Sequence, residues 1–171
     1  MPNKETFKIL PIKDLLMRYV DESKVWIDPF ARNSIFKQRC RWTNDLNPKY
    51  DCTHNMKALD FLQELDDTSV DGVLFDPPYT LRQVKECYEN VGHDFTYSDS
   101  INAGNWTWEK EEVDRIVAPD GIVISFGYNS VGMGINNGFK IEEILLVCHG
   151  GAHNDTIVTV ERNVQSQNSL F

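Results

Sequence analysis

Ile122-Val123-Ile124-Ser125-Phe126 runs between Gly121 and Gly127 with no alternation of apolar and polar side chains. A strand with one face in water would alternate, so this run reads as a strand covered on both faces. Val73-Leu74-Phe75 has the same character behind a turn at Asp66-Asp67 and Gly72. Between such runs lie segments at helical spacing. They are Ile12, Leu15, Leu16 and Tyr19 behind Pro11; Ala58, Phe61, Leu62 and Leu65; Val84, Cys87, Tyr88 and Val91 behind a Thr80 cap; and Val113, Ile116 and Val117, ended by Pro119-Asp120-Gly121. Val25-Trp26-Ile27 and the stretch 40–43 supply two more strands, and a short third is expected at 51–53. The stretches 144–148 and 156–160 close the chain as a hairpin. Strands alternating with helices need crossovers, so the expected fold is α/β: a mostly parallel sheet with a C-terminal antiparallel hairpin and helices on both faces.

At 171 residues, 41% hydrophobic and 25% charged, the chain suits one domain over 1–171, with the polar tail 163–171 expected to fray. No apolar run approaches the roughly 18 residues of a membrane span. Lys4, Glu5, Lys8, Lys13 and Asp14 interrupt the N-terminal stretch, which points away from a secretion signal. Cys40, Cys52, Cys87 and Cys148 form neither a Cys-x-x-Cys zinc pair nor a disulfide framework, and read as reduced thiols in a cytoplasm.

The net charge of −9 argues against indiscriminate adhesion to nucleic acid. Its distribution is polarised: residues 1–57 hold 11 Lys and Arg against 7 acids, while residues 58–171 hold 6 against 19. Arg32, Lys37, Arg39 and Arg41 form a basic cluster, and Arg82 and Lys85 a smaller one. A solvated helix face and a phosphate-contacting patch account for such clusters equally well.

In an open parallel sheet, ligands bind beyond the carboxyl ends of the strands, which singles out the loops after Ile27, Thr43, Phe75, Phe126 and Cys148. The sharpest signal there is Asp76-Pro77-Pro78-Tyr79, directly after an apolar strand and before a helix. Two prolines fix φ and remove two amide donors, leaving rigid carbonyl acceptors between a carboxylate and an aromatic ring. Such a turn suits an amino group. The exocyclic amine of a nucleobase is a poor nucleophile because its lone pair is delocalised into the ring. If Asp76 and the Pro77 carbonyl each accept one N–H, the nitrogen pyramidalises and its lone pair can attack an electrophilic methyl group directly. Tyr79 is expected to stack on the base, which must be flipped from a duplex or start single-stranded. Arg82, His149, His153 and Asn154 are expected to contact the target. Gly150 and Gly151 break any helix that would align the two histidines on a metal, so no metal site is read there.

In this context the turn resembles the motif Asp/Asn/Ser-Pro-Pro-Tyr/Phe of the S-adenosylmethionine-dependent amino-methyltransferases of DNA, and the resemblance covers nearly the whole chain. Asp28-Pro29-Phe30-Ala31 looks like the family's first cofactor motif, Asp45 stands where an acid bonds the cofactor ribose, and Pro11 to Leu16 looks like the helical motif beside the cofactor. The family's Phe-x-Gly-x-Gly is here Phe30-Ala31-Arg32-Asn33-Ser34, a string similar to that of small phage-type members. Arg32 is placed to bond either the cofactor carboxylate or a DNA phosphate. Lys57 stands where the third motif carries an acid near the cofactor adenine, a part left to Asn55 or Asp60.

The resemblance implies a Rossmann-like class I methyltransferase with a seven-stranded sheet, acting on DNA, with adenine favoured over cytosine by the aspartate at 76. It implies S-adenosylmethionine held by Pro11, Asp28, Pro29, Phe30, Ala31, Arg32, Asn33, Asp45, Leu46, Asn55 and Asp76, with Asp76, Pro77, Pro78 and Tyr79 catalytic. Two other readings stay open: an accessory subunit that binds cofactor and needs a partner for turnover, and the same chemistry on RNA or cytosine. The core elements leave no room for a separate target-recognition domain. Specificity is therefore expected to be low, or borrowed from the loop 92–107, the basic patch, a partner or a second copy of the chain.

Overall fold

The computed structural model describes residues 5–134, 138–151 and 154–165. Its elements in order are α1 (Leu10–Tyr19), β1 (Trp26–Asp28), β2 (Trp42–Thr43), α2 (Ala58–Gln63), β3 (Val70–Phe75), α3 (Leu81–Glu89), α4 (Tyr97–Asn102), α5 (Thr107–Ile116), β4 (Val117–Gly127), β5 (Phe139–Val147) and β6 (Thr156–Asn163). The strands form one six-stranded sheet in the order β2-β1-β3-β4-β6-β5. β2, β1, β3 and β4 are parallel, and β6 runs antiparallel to both its neighbours, β4 and β5. β5 therefore points the same way as β4. The turn beyond it lies on the same sheet edge as the loops after β1 to β4.

Adjacent residues of the central strands face opposite cores. Leu74 and Ile124 pack with Ile12, Leu15 and Leu16 of α1, while Val73, Phe75 and Val123 pack with Phe61 and Leu62 of α2 and Val113 and Ile116 of α5. Two-sided burial is why both strands read as unbroken apolar runs, and the helices lie on both faces as their periodicity implied. α3 starts at a capping box: the Thr80 hydroxyl accepts from the Gln83 amide, and the Gln83 side chain accepts from the Thr80 amide.

Four sequence expectations need correction. The sheet has six strands, not seven, because the segment expected as a third strand makes a single parallel bridge, Asn44 to His54. Thr43 and Thr53 explain the loss. The Thr43 amide donates to Thr53 Oγ1 at 2.8 Å and the Thr53 amide to Thr43 Oγ1 at 3.1 Å, so side chains take groups a ladder would use. Pro119-Asp120-Gly121 does not separate α5 from a strand. It forms a bulge inside β4, where the register passes from Val70↔Val117 to Gly72↔Ile122 and Asp120 takes φ 63°. The stretch read as a loop over 92–107 contains α4, capped by Thr96 and Asp99. Asn163 does not fray: it is buried, ends β6 and donates from Nδ2 to the Val117 carbonyl at 3.0 Å.

Gly72 pairs with Trp26 across β1 and β3, and a Cβ at 72 would fall 2.5 Å from the buried Trp26 indole. Gly72→Ala is expected to cost about 1–3 kcal/mol by overpacking. The loss should appear as a lower urea midpoint with an unchanged slope.

Candidate active site

Asp76 follows β3 directly, and its carboxyl is enclosed although the residue as a whole is half-buried. Burial pushes that carboxyl up to about 6, against hydrogen bonds from Tyr79 and Thr6 that pull it down. The Tyr79 hydroxyl donates to Asp76 Oδ1 at 2.5 Å. Burial, and then the adjacent Asp76 charge, raise the Tyr79 phenol well above its ordinary range, so it stays a donor. Its ring meets Tyr128, beyond β4, edge-on at 4.9 Å. Tyr79 thus rests on the carboxylate rather than standing open for stacking. The two proline carbonyls differ. Pro78 accepts from Trp106 Nε1 at 3.3 Å, whereas no donor among the described residues reaches Pro77. Thr6 and Tyr128 escaped the sequence reading. Tyr128 lies in one of the loops the carboxyl-edge rule selects, but nothing local marks Thr6.

The loop after β1 forms the adjoining wall. An open cleft of about 370 Å³ is lined by Thr6, Phe7, Phe30, Arg32, Asn33 and Asp76, among others including Ala31. Asp28, fully buried at the end of β1, accepts from the Phe30 amide at 3.1 Å through Oδ1. Its Oδ2 has no partner. Burial holds this carboxyl well above the ordinary range, with Asp76 and Asp45 adding to the rise and the Phe30 amide opposing it.

Arg32 occupies the first glycine position of the expected motif and adopts the left-handed φ of 43° that a glycine would take freely. The loop keeps its shape without glycine because its backbone is clamped. The Arg32 amide donates to Asp45 Oδ2 at 3.2 Å, and the Ala31 amide donates to the Asn44 carbonyl at 2.8 Å. The buried Asn44 side chain joins the loop to the next segment. Its Nδ2 donates to the Pro29 and Met56 carbonyls, each at 3.1 Å, and its Oδ1 accepts from the Met56 amide at 3.1 Å. Sequence reading passed over Asn44, since a lone Asn at a strand end usually signals a turn.

Other expected cofactor contacts lie elsewhere. Pro11 is exposed in the first turn of α1, and the segment before it, Glu5 to Lys8, lines the cleft instead. Leu46 is half-buried and does not line the cleft. Asn55 turns its amide to the carbonyl of Asp45 at 3.1 Å, with Asn47 and Tyr50 beyond, and so braces its own loop. Asp60 is exposed in the first turn of α2. Lys57 pairs with Asp99 of α4 at 3.3 Å and lies over the Tyr88 ring, stapling α4 to the body.

The expected target contacts are dispersed. Arg82 is exposed and paired with Glu86, one turn along α3. His149 closes its own hairpin: its amide donates to Asp155 Oδ1 at 2.9 Å and its Nε2 lies 2.8 Å from Thr156 Oγ1. Asn154 is exposed, and His153 lies outside the described residues. Within the basic cluster, Lys37 donates to the Asp51 carbonyl and Arg39 pairs with Glu22, so internal partners already engage both. Among the described residues no group of His, Cys, Asp and Glu has the arrangement of a metal site, and no helix is long and apolar enough to cross a membrane.

No protein-family model matches the chain, and no curated protein matches it in sequence. Solved structures match it in fold. N-methyltransferase NodS from Bradyrhizobium japonicum superposes with a TM-score of 0.56 at 14% identity, covering 95% of this chain and 99% of NodS. The chain has a methyltransferase fold. TrmN from Thermus thermophilus matches with a TM-score of 0.57 at 15% identity, over 90% of this chain and 48% of TrmN. NSun6 from Pyrococcus horikoshii, solved with SFG, matches with a TM-score of 0.55 at 13% identity, over 84% of this chain and 49% of NSun6. NodS has also been solved in complex with S-adenosyl-l-homocysteine. On this methyltransferase fold, the Asp76 turn and the loop after β1 adjoin one cleft at the carboxyl edge.

Because the Tyr79 hydroxyl pulls the Asp76 carboxyl down, Tyr79→Phe is expected to move its titration above the present value of about 6. Carbon NMR of labelled aspartate carboxyls reads the shift, and an unchanged or lower midpoint would contradict this arrangement.

Proposed function

We propose that this chain transfers the methyl group of S-adenosylmethionine to the exocyclic amino group of adenine in DNA, with the base out of the stack. One observation carries the reading: Asp76 lines the cleft beside the loop after β1 and is followed in the turn by a proline carbonyl that no donor among the described residues reaches.

The cleft suits the cofactor on its own chemistry. Asp28 Oδ2 is buried without a partner, and Asp45, Asp28 and Asp76 end or follow three neighbouring strands. Burial above all, and after it the neighbouring Asp76 and Asp45, hold the Asp28 carboxyl well above its ordinary range. The Phe30 to Asn33 loop and Thr6 form its walls, and Asp45, although bonded by two backbone amides, keeps lone pairs for hydroxyl donors. When bound, S-adenosylmethionine supplies an electrophilic methyl group on a sulfonium.

The chain's own groups act on the acceptor. Asp76 and the Pro77 carbonyl each take one N–H of the amine, which holds the nitrogen pyramidal and directs its lone pair toward the cleft. Asp76, titrating at about 6, is ionised at neutral pH and able to take the proton that the nitrogen sheds as its new bond forms. For the amine to reach Asp76, the Tyr79 hydroxyl must yield or share its acceptor; the freed ring is then available to the base face. Aspartate at position 76 favours adenine through the resemblance noted above. The same turn accepts amino groups on RNA bases or cytosine by identical geometry, so those acceptors belong in the assay.

Transfer of labelled methyl from S-adenosylmethionine to unmodified single- and double-stranded DNA is expected, with RNA and cytosine-only oligonucleotides run in parallel. Asp76→Ala should lower the rate by about 100- to 1,000-fold. The wild-type rate should fall as the pH drops through about 6, because a protonated Asp76 no longer accepts both ways. Absence of transfer to any DNA, or full turnover by Asp76→Ala, rejects the proposal.

A further inference from the structure

Prolines at 77 and 78 leave the Asp76 turn without two of its amide donors, so groups from elsewhere must hold its carbonyls in place. Trp106 holds one of them. Its Nε1 donates to the Pro78 carbonyl at 3.3 Å, and its ring meets Phe30 of the cofactor loop edge-on at 5.2 Å. Phe30 in turn meets Phe75, the last residue of β3, at 5.4 Å. One side chain therefore touches both the loop after β1 and the Asp76 turn.

The backbone beneath that side chain is strained in a way the surroundings enforce. Trp106 caps α5 in the left-handed region, at φ 55° and ψ 40°, where a bulky residue is a rare outlier. Its amide donates to the Asn102 carbonyl at 2.7 Å, and its carbonyl accepts from Lys110 at 2.9 Å. Asn102 is itself buried, accepting from the Trp108 amide at 3.1 Å and donating to the buried Glu109 at 2.6 Å. The corner is braced on both sides, which fixes where the indole N–H points.

We propose that Trp106 is a positioning residue that couples the cofactor loop to the amine-binding turn and leaves the Pro77 carbonyl as the one free acceptor beside Asp76. The proposal rests on the methyl-transfer reading above. With the Pro78 carbonyl occupied, an entering amine has one pairing rather than two, and its lone pair has one direction. Movement of Phe30 when the cleft fills is passed through the indole to Pro78. By linkage, the turn reports back on the cofactor loop to the same extent in binding free energy.

Trp106→Phe keeps an aromatic ring at this position while removing the N–H donor and part of the indole, and Trp108→Phe, at an exposed site, is the control. Four quantities are read: thermal unfolding, calorimetric affinity for S-adenosylhomocysteine, turnover on single-stranded DNA at saturating cofactor, and the Pro78 carbonyl-carbon resonance with and without S-adenosylhomocysteine. Trp106→Phe is expected to unfold with the wild type and bind S-adenosylhomocysteine within about twofold, while turnover falls about 10- to 100-fold through misplacement of the acceptor. The Pro78 carbonyl-carbon resonance should move on adding S-adenosylhomocysteine in the wild type and in Trp108→Phe, and stay in place in Trp106→Phe. Wild-type turnover in Trp106→Phe overturns the coupling, as does a loss that appears only as weaker cofactor binding. If the wild type binds S-adenosylhomocysteine but methylates no nucleic acid, the functional reading fails by itself. The coupling is then decided by the Pro78 carbonyl resonance, standing if Trp106→Phe abolishes its response to S-adenosylhomocysteine and falling if the response remains. A wild type that does not bind S-adenosylhomocysteine overturns both.

Discussion

Strands β3 and β4 have no face in water. Every residue from Val73 to Phe75 and from Val123 to Phe126 is buried, with the α1 core on one side and the α2 and α5 core on the other. Charged chemistry on such strands is confined to the ends of these runs, because a charged group within them would lie unpaired in an apolar core. Parallel pairing then brings those ends together. Sheet order β2-β1-β3 places Asp45, Asp28 and Asp76 at neighbouring strand ends, and neighbouring strands stand about 5 Å apart. Burial and mutual repulsion hold the Asp28 carboxyl high, while for Asp45 and Asp76 burial is the leading cause. The edge of the sheet thus gathers three carboxyls, with Arg32 and Lys37 near enough to oppose their rise.

The walls of this edge are held by side chains where backbone bonding is not available. At the loop after β1, Arg32 adopts a left-handed conformation that costs on the order of 1 kcal/mol. The bonds from Arg32 to Asp45 and from Ala31 to Asn44, with the Asn44 side chain behind them, oppose that cost. At the turn after β3, the two prolines cannot donate, and Trp106, Gln83 and Thr6 do the bracing. The first site holds a left-handed corner that carries a cationic side chain. The second frees one carbonyl by occupying the next.

Much of this was legible because it is local. The Thr80 cap, the apolar faces of α1, α2 and α5, and the proline pair each depend on residues within a few positions. The carboxyl-edge rule correctly named the loop that holds Tyr128. What was not legible depends on distant partners or on short polar segments. The third strand vanished because Thr43 and Thr53 bond through their side chains, ten positions apart. α4, Tyr-Ser-Asp-Ser-Ile-Asn, has no apolar period to read, although Thr96 and Asp99 formed a capping signal that was there to be found. Asn163 belongs to β6 because Phe139 pairs with it across the sheet, a contact no C-terminal sequence pattern announces.

By itself the sequence determined the α/β architecture, the placement of Asp76-Pro77-Pro78-Tyr79 at a strand end, and the acceptor chemistry of that turn. These follow from hydrophobic periodicity and from the covalent nature of proline, and neither needs a partner to act. Tertiary structure alone decided which carbonyl is left free, that Tyr79 rests on Asp76, that His149 serves its own hairpin, and that the cleft wall is Thr6 rather than Pro11. Each of those is a choice among several donors and acceptors of similar strength. Such choices are settled only when folding sets the distances between residues far apart in the chain.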